Sequence, residues 1–263
     1  MYGSNSAHTC FGQFLQDFRF LTDWGNLGID WGFRAPIDLQ RPAPYNAIEK
    51  NWFPFWDRQG HIYIHHDIFP QRVFSKLSLD GSGGPDLAAL AQPADQTCME
   101  RYFPKVGKTL ESIHQATNSL LVTMCNRNDS SCQDNATNTF IMTLFQHKTF
   151  YSYHSVYEPY VILFSQDAPF AIHAISKRPL WINGRGTAGE KRPKYLPLST
   201  SDPWNQTEMM YVTSISWMSS SQTYHGYQDD ILFVSFGIED ERSGGIDILA
   251  RDVLEDIGLC NTD

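Results

Sequence analysis

Apolar and polar positions along this chain alternate mostly with a period of two, in short runs broken by Gly, Pro and Asp. Residues 61–65 (HIYIH) are the clearest case. Successive strand side chains point to opposite faces, so Ile62 and Ile64 share one face and His61, Tyr63 and His65 the other. Asp57-Arg58-Gln59-Gly60 reads as the turn before this strand, and a Glu49-Lys50-Asn51-Trp52 cluster precedes the turn. Residues 11–21 read as a strand with Asp17 and Arg19 on one face and Phe14, Phe18 and Phe20 on the other. Residues 73–79 predict another strand, 80–85 (DGSGGP) a break, and 86–92 a short surface helix. The polar stretch 114–118 leads into a compact apolar strand over 119–125.

Two later segments echo one another. One comprises TFIMTLFQHK (139–148), YVILFS (160–165) and FAIHAI (170–175); the other MYVTSISW (210–217), DILFVSFG (230–237) and GIDIL (245–249). Each is three strands with a Tyr-His pair inserted after the first, Tyr153-His154 and Tyr224-His225. A repeated short antiparallel unit marks propeller blades, with a β-sandwich as the alternative. Ile248, Leu249, Val253, Leu254 and Ile257 fit helical spacing and predict a short C-terminal helix, with Gly258 as its C′ residue. The expected fold is all-β, one propeller-like domain over residues 1–263.

Composition narrows the function. The net charge of −9 and the lack of any Lys/Arg-rich run exclude a nucleic-acid partner. No apolar run approaches the roughly 20 residues that span a bilayer. Aromatics at 14% favour strands and stacking surfaces. The sequons at Asn128, Asn135 and Asn205 point to a glycoprotein of the secretory pathway, secreted or in the Golgi or ER lumen, although no signal peptide is visible. Of the five cysteines, Cys125 and Cys132 bracket a six-residue polar loop and can close a small disulfide. The odd count and the missing signal lead to the expectation of an N-terminally shortened chain.

Polar groups massed at strand ends among aromatics have the make-up of a sugar site. The alternative for residues 48–70 is a capped hairpin in which Lys50 pairs with Glu49. His65 and His66 cannot easily share a metal ion, because neighbours on a strand face opposite ways.

At these residues the chain resembles the β-mannoside phosphorylase family of glycoside hydrolases and the related fungal β-mannosyltransferases. Gln16-Asp17-Phe18-Arg19-Phe20 is similar to that family's Glu-Asp-Pro-Arg-Ile element, with Phe18 in place of the proline. Glu49-Lys50-Asn51 with the following Phe-Pro-Phe looks like its Lys-bearing strand before a His-ending hairpin. Tyr153-His154 resembles its Tyr-His element, and Phe236-Gly237-Ile238-Glu239-Asp240 its closing Tyr-Gly-x-x-Asp. The resemblance implies a five-bladed propeller, incomplete at its N-terminus. It implies a carbohydrate-active enzyme that transfers or cleaves a glycosyl unit, in the mannosyl class, by inversion. Asp17 is then the catalytic acid, and inorganic phosphate a co-substrate with no other cofactor. Arg19, Glu49, Lys50, Asn51, His65, His66, His114, Tyr153, His154, His225 and Asp240 are the expected binding residues for an oligosaccharide or glycan and for the anion. The competing expectation is a non-catalytic sugar-binding or structural propeller, or a truncated remnant of one.

Overall fold

The computed structural model describes residues 3–5, 8–10, 12–17, 33–45, 49–108, 110–151, 154–191, 205–219 and 223–260. Strands make up 43% of these residues and helices 8%. The fold is all-β, and its sheets do not close into a barrel. The elements begin with β1 (Gly3–Asn5), β2 (His8–Cys10), β3 (Gln13–Leu15), β4 (Ile37–Leu39), β5 (Phe53–Trp56), β6 (Ile62–Asp67) and β7 (Val73–Lys76). A 3₁₀ turn at Ala88–Leu90 leads into α1 (Gln92–Tyr102). There follow β8 (Glu111–Gln115), β9 (Leu120–Thr123), β10 (Thr139–Tyr151), β11 (His154–Ser165) and β12 (Ile172–Ser176). The last part holds β13 (Met210–Trp217), β14 (His225–Tyr227), β15 (Ile231–Ile238), β16 (Arg242–Leu249), α2 (Ala250–Val253) and β17 (Ile257–Leu259).

The described residues form five sheets: β1–β2, β3–β4, β5–β6–β7, a seven-stranded sheet, and β13–β15–β16. The seven-stranded sheet runs β14–β9–β10–β11–β12–β17, with β8 also paired to β10. Both repeated segments fold as antiparallel meanders, β10–β11–β12 and β13–β15–β16, as their patterns predict.

The central strands are apolar at nearly every position because both of their faces are covered. On β10, Phe140, Met142 and Leu144 enter one core with β13, β15 and α2, while Ile141 packs against the Phe53–Phe55–Phe74–Phe170 cluster of the β5–β7 side. Phe145 joins a third cluster with Cys98 of α1, Phe103, Tyr160, Ile162 and Ile175. Alternation on a strand thus persists as a choice between two cores rather than between core and solvent. Leu39, Ile64 and Leu77, with Leu15, form a fourth core between β3–β4 and β5–β7.

Three expectations are corrected. The helix predicted over 86–92 is only a 3₁₀ turn at Ala88–Leu90, and the longer α1 that follows was not expected: a polar helix that buries Asp95 and Cys98 and shows no apolar stripe to betray it. The expected C-terminal helix is present as α2 but is shorter than its pattern, with strand on either side. Residues 246–249 finish β16, only Ala250–Val253 are helical, and residues 257–259 pair with β12. Gly258 is therefore not a helix C′ residue: it sits in β17, where a Cβ would run into the Tyr102 ring. Residues 225–227 form strand β14, paired parallel to β9.

Cys125 and Cys132 are bonded as expected, and a second disulfide joins Cys98 of α1 to Cys260 after β17. The second bond closes a loop of 162 residues in sequence separation, so it restricts the unfolded chain strongly. Asn128, Asn135 and Asn205 are all exposed. No described helix is long and apolar enough to cross a membrane.

Phe55 is fully buried and touches Tyr63, Phe74, Phe164 and Phe170 through ring contacts. Phe55→Ala should lower the unfolding free energy by about 3–5 kcal/mol, read from chemical denaturation. A loss below about 1 kcal/mol would show that the aromatic cluster does not tie the β5–β7 sheet to the central one.

Candidate functional site

The loop before β5, the end of β6 and strand β8 enclose a depression of about 160 Å³ lined by Glu49, Lys50, Asn51, His66, Asp67, Phe69, His114 and Gln115. Five residues singled out in the sequence therefore meet here: Glu49, Lys50, Asn51, His66 and His114. Asn51 has a φ of 62°, in the left-handed region where Asn is enriched several-fold. This backbone turn sends its amide across to Tyr211 of β13, where Nδ2 donates to Oη at 3.2 Å. The depression is walled by two sheets, and Asn51 links it to a third.

His114 is the polar centre. Its Nδ1 lies 3.2 Å from the Gln115 carbonyl and 3.4 Å from Asn51 Nδ2. A carbonyl only accepts, so the proton belongs on Nδ1, and Asn51 gives its hydrogen to Tyr211 instead. Nε2 then carries the lone pair, and no described residue donates to it. The ring stacks at 6.0 Å on Tyr211 and meets Tyr157 of β11 edge-on at 5.9 Å. Burial lowers the His114 pKa, and the cations Lys50 and Lys148 lower it further against the pull of the Gln115 carbonyl.

The carboxylates beside it are spoken for. Arg41 is buried, and its Nη1 donates to Glu49 Oε2 at 3.1 Å and its Nη2 to Asp67 Oδ2 at 2.6 Å. Burial works against the charged guanidinium, yet the two carboxylates outweigh it and raise its pKa. Glu49 therefore pairs with Arg41, while Lys50 is exposed; the expected alternative of a Lys50–Glu49 pair gives way to a stronger partner. Gln13 of β3 donates to the Glu49 carbonyl at 3.0 Å, which anchors the segment carrying Asp17 to this loop.

His65 and His66 face opposite ways, as the strand period demands. His65 points away from the depression into the core. There its Nδ1–H donates to Gln115 Oε1 at 2.8 Å, and its Nε2 accepts from Arg72 Nε at 3.1 Å. Phe53 stacks on it at 4.8 Å. His66 faces the depression, with Nε2 3.1 Å from Ser75 Oγ and its ring edge-on to Trp52 at 4.4 Å. His66 Nδ1 and Trp52 Nε1 are both buried without a hydrogen-bond partner among the described residues.

The other expected residues lie elsewhere. His154 is buried in a separate polar cluster, with Nδ1 2.7 Å from Gln206 Oε1 and Nε2 3.1 Å from the Glu239 carboxylate. Glu239 also accepts from the Met209 N–H at 2.6 Å. Glu239 and Asp240 both have a φ of 54° in the β15–β16 turn, the arrangement of a type I′ hairpin; Glu239 is turned inward and Asp240 outward. His225 is held by Thr123 at 2.7 Å beside a different cavity. Asp17 is half-buried, its backbone N–H bonded to the Phe33 carbonyl at 2.8 Å. Arg19 and Tyr153 lie outside the described residues. Reading the sequence missed Arg41, Gln115, Tyr157 and Tyr211. Tyr211 is the second residue of the first strand of the second meander, the one local signal that it stands near a strand end.

Searches of protein-family models, curated proteins and solved structures returned no match.

Proton linkage gives a stability signature. Burial holds His65 well below its ordinary pKa, and burial with the nearby Arg41 charge pushes His66 down to about 3. Below about pH 6.5 the unfolded chain binds protons that the native state refuses, so stability falls on acidification by up to roughly 1.4 kcal/mol per pH unit per group. His147 acts in the opposite sense. The Glu158 carboxylate at 3.2 Å, and then Glu111 at 3.3 Å, raise its pKa. Its stabilisation is complete below about pH 6.5 and is lost as pH rises through that raised value. Denaturant midpoints should fall between pH 6.5 and 4.5, and His66→Gln should flatten that fall. A midpoint that rises on acidification, or an unchanged slope in His66→Gln, would contradict the neutral, buried His66.

Proposed function

We propose that this chain is a carbohydrate-active protein that binds a glycosyl unit at the Asn51–His114–Tyr211 depression. The observation that carries the reading is the meeting of two sheets at that point, with Asn51 linking them to a third. It sets a neutral histidine with an open lone pair, an amide and a lysine beside two tyrosine rings. A sugar hydroxyl can donate to His114 Nε2, and ring faces such as Tyr157 and Tyr211 suit the apolar face of a pyranose. A neutral imidazole is also what burial and the two lysines favour.

In this reading the sheets among the described residues belong to an incomplete five-bladed propeller, and the resemblance to β-mannoside phosphorylases supplies the mannosyl class. Transfer or cleavage with inversion needs an acid to protonate the leaving oxygen and a nucleophile from the opposite face. Glu49 and Asp67 are held by Arg41 and suit acceptance rather than proton donation. The acid role therefore goes to Asp17, on the segment that Gln13 ties to the site. Phosphate as the attacking group would rest on Lys50 and Lys148. The commitment of both lining carboxylates to Arg41 favours one other reading, a sugar-binding protein without catalysis.

Incubation with mannosyl oligosaccharides, with and without inorganic phosphate, followed by product analysis, separates the two. The expected result is a released sugar or sugar phosphate, abolished by Asp17→Asn with sugar binding retained. Lys50→Ala should instead raise the phosphate requirement. Binding with no product under either condition would leave the non-catalytic reading. Full activity in Asp17→Asn would remove Asp17 from the acid role.

A further inference from the structure

A cavity larger than the depression lies elsewhere among the described residues. A cleft of about 650 Å³ lies between α1 and residues 69–72, with Phe69 lining both. Its volume is that of a small-molecule site. Phe69, Met99 and Phe103 give it apolar walls, and Arg72, Asp86, Asp95, Glu100 and Lys105 give it charged ones.

Arg72 is held on every side but one. Its Nε donates to His65, its Nη1 donates at 2.7 Å to both Asp95 Oδ2 and the Phe170 carbonyl, and the Phe74 and Phe164 rings each lie 4.8 Å from Cζ. Its Nη2 is buried and has no hydrogen-bond partner among the described residues. A buried charged donor left unmet is costly, and an oxygen from a bound molecule would meet it. The charge of Arg72 is already balanced by Asp95, and Asp86 adds a further negative charge nearby. The other charges lining the cleft, the exposed Glu100 and Lys105, are opposite in sign, so the lining carries no net positive charge and the cleft offers a donor without offering a home to an anion.

We propose that this cleft binds an uncharged amphipathic molecule, an aryl or alkyl body bearing a carbonyl or hydroxyl oxygen that accepts from Arg72 Nη2. The apolar body rests on Phe69, Met99 and Phe103. The site is independent of the sugar reading: it can be present if that reading fails, and absent if it holds.

The test is ligand-observed NMR titration of the full chain with benzamide. Benzoate, benzylamine and ethylbenzene serve as the anionic, cationic and acceptor-free probes. Saturable benzamide binding is expected, at least tenfold tighter than each of the other three. Gln96 is exposed on α1 and lines the cleft, so Gln96→Trp should obstruct the cleft without disturbing the core and weaken benzamide at least tenfold. Its fold is checked by circular dichroism, and Ala89→Trp, at another exposed lining position, replaces it if it misfolds. The proposal is overturned if benzamide does not saturate, if benzoate, benzylamine or ethylbenzene binds as tightly, or if the folded Trp variant leaves the affinity unchanged.

Discussion

A buried polar chain ties this fold together. Asp95 of α1 pairs with Arg72, Arg72 donates to His65 of β6, and His65 donates to Gln115 of β8, whose amide returns two hydrogen bonds to the His65 and His66 carbonyls. The other Asp95 oxygen accepts from the Ile172 N–H of β12. Two sheets and a helix are thereby held in one register by groups with almost no exposure to water. Such a chain adds little net stability when complete, but removing one partner strands a charge in the interior. Aromatic rings close it off: Phe53 and Phe74 against His65, and Phe74 and Phe164 against Arg72. The chain also passes between the two cavities, with Arg72 and Asp95 at the cleft and Gln115 at the depression.

The depression follows from that register. With His65 turned inward, the alternation of β6 sends His66 the other way, beside His114 on β8. Arg41 does for the loop before β5 what Arg72 does for the core, binding Glu49 and Asp67 so that loop and strand end stay together. Burial and neighbouring cations then keep His114 and His66 uncharged, which suits recognition of a neutral, hydroxyl-rich ligand better than that of an anion. Lys50 is exposed at the rim of the depression, where an anion can approach from solvent.

Much of this was legible in the sequence, for identifiable reasons. Period-two alternation located β6 and both meanders, and it placed His65 and His66 on opposite faces. Glu49, Lys50, Asn51 and His66 stand close together in sequence, so local reading could assemble them; His114 was reachable as a polar residue leading into a strand. The partners that complete the site, Arg41, Tyr157 and Tyr211, are brought in by sheet packing across long stretches of chain, and no local pattern marks them. Helix α1 escaped because the Cys98–Cys260 bond and the Asp95–Arg72 pair hold it rather than an apolar stripe. The C-terminal helix was legible but its length was not, because the few apolar positions that marked α2 run on into the strands on either side of it. His154 drew attention as half of a Tyr-His pair, yet its ring is taken up by Gln206 and Glu239 in a cluster of its own.

The central claim is that the neutral His114 imidazole receives a sugar hydroxyl. Nitrogen-15 chemical shifts of the histidine rings, followed during titration with mannobiose at pH 7, address it directly. The claim predicts that His114 Nε2 moves with saturation while remaining unprotonated, that His66 responds less, and that His225, in its separate cavity, does not respond. A His114 ring that is already protonated in the free protein, or one that stays unperturbed while mannobiose binds elsewhere, would contradict it.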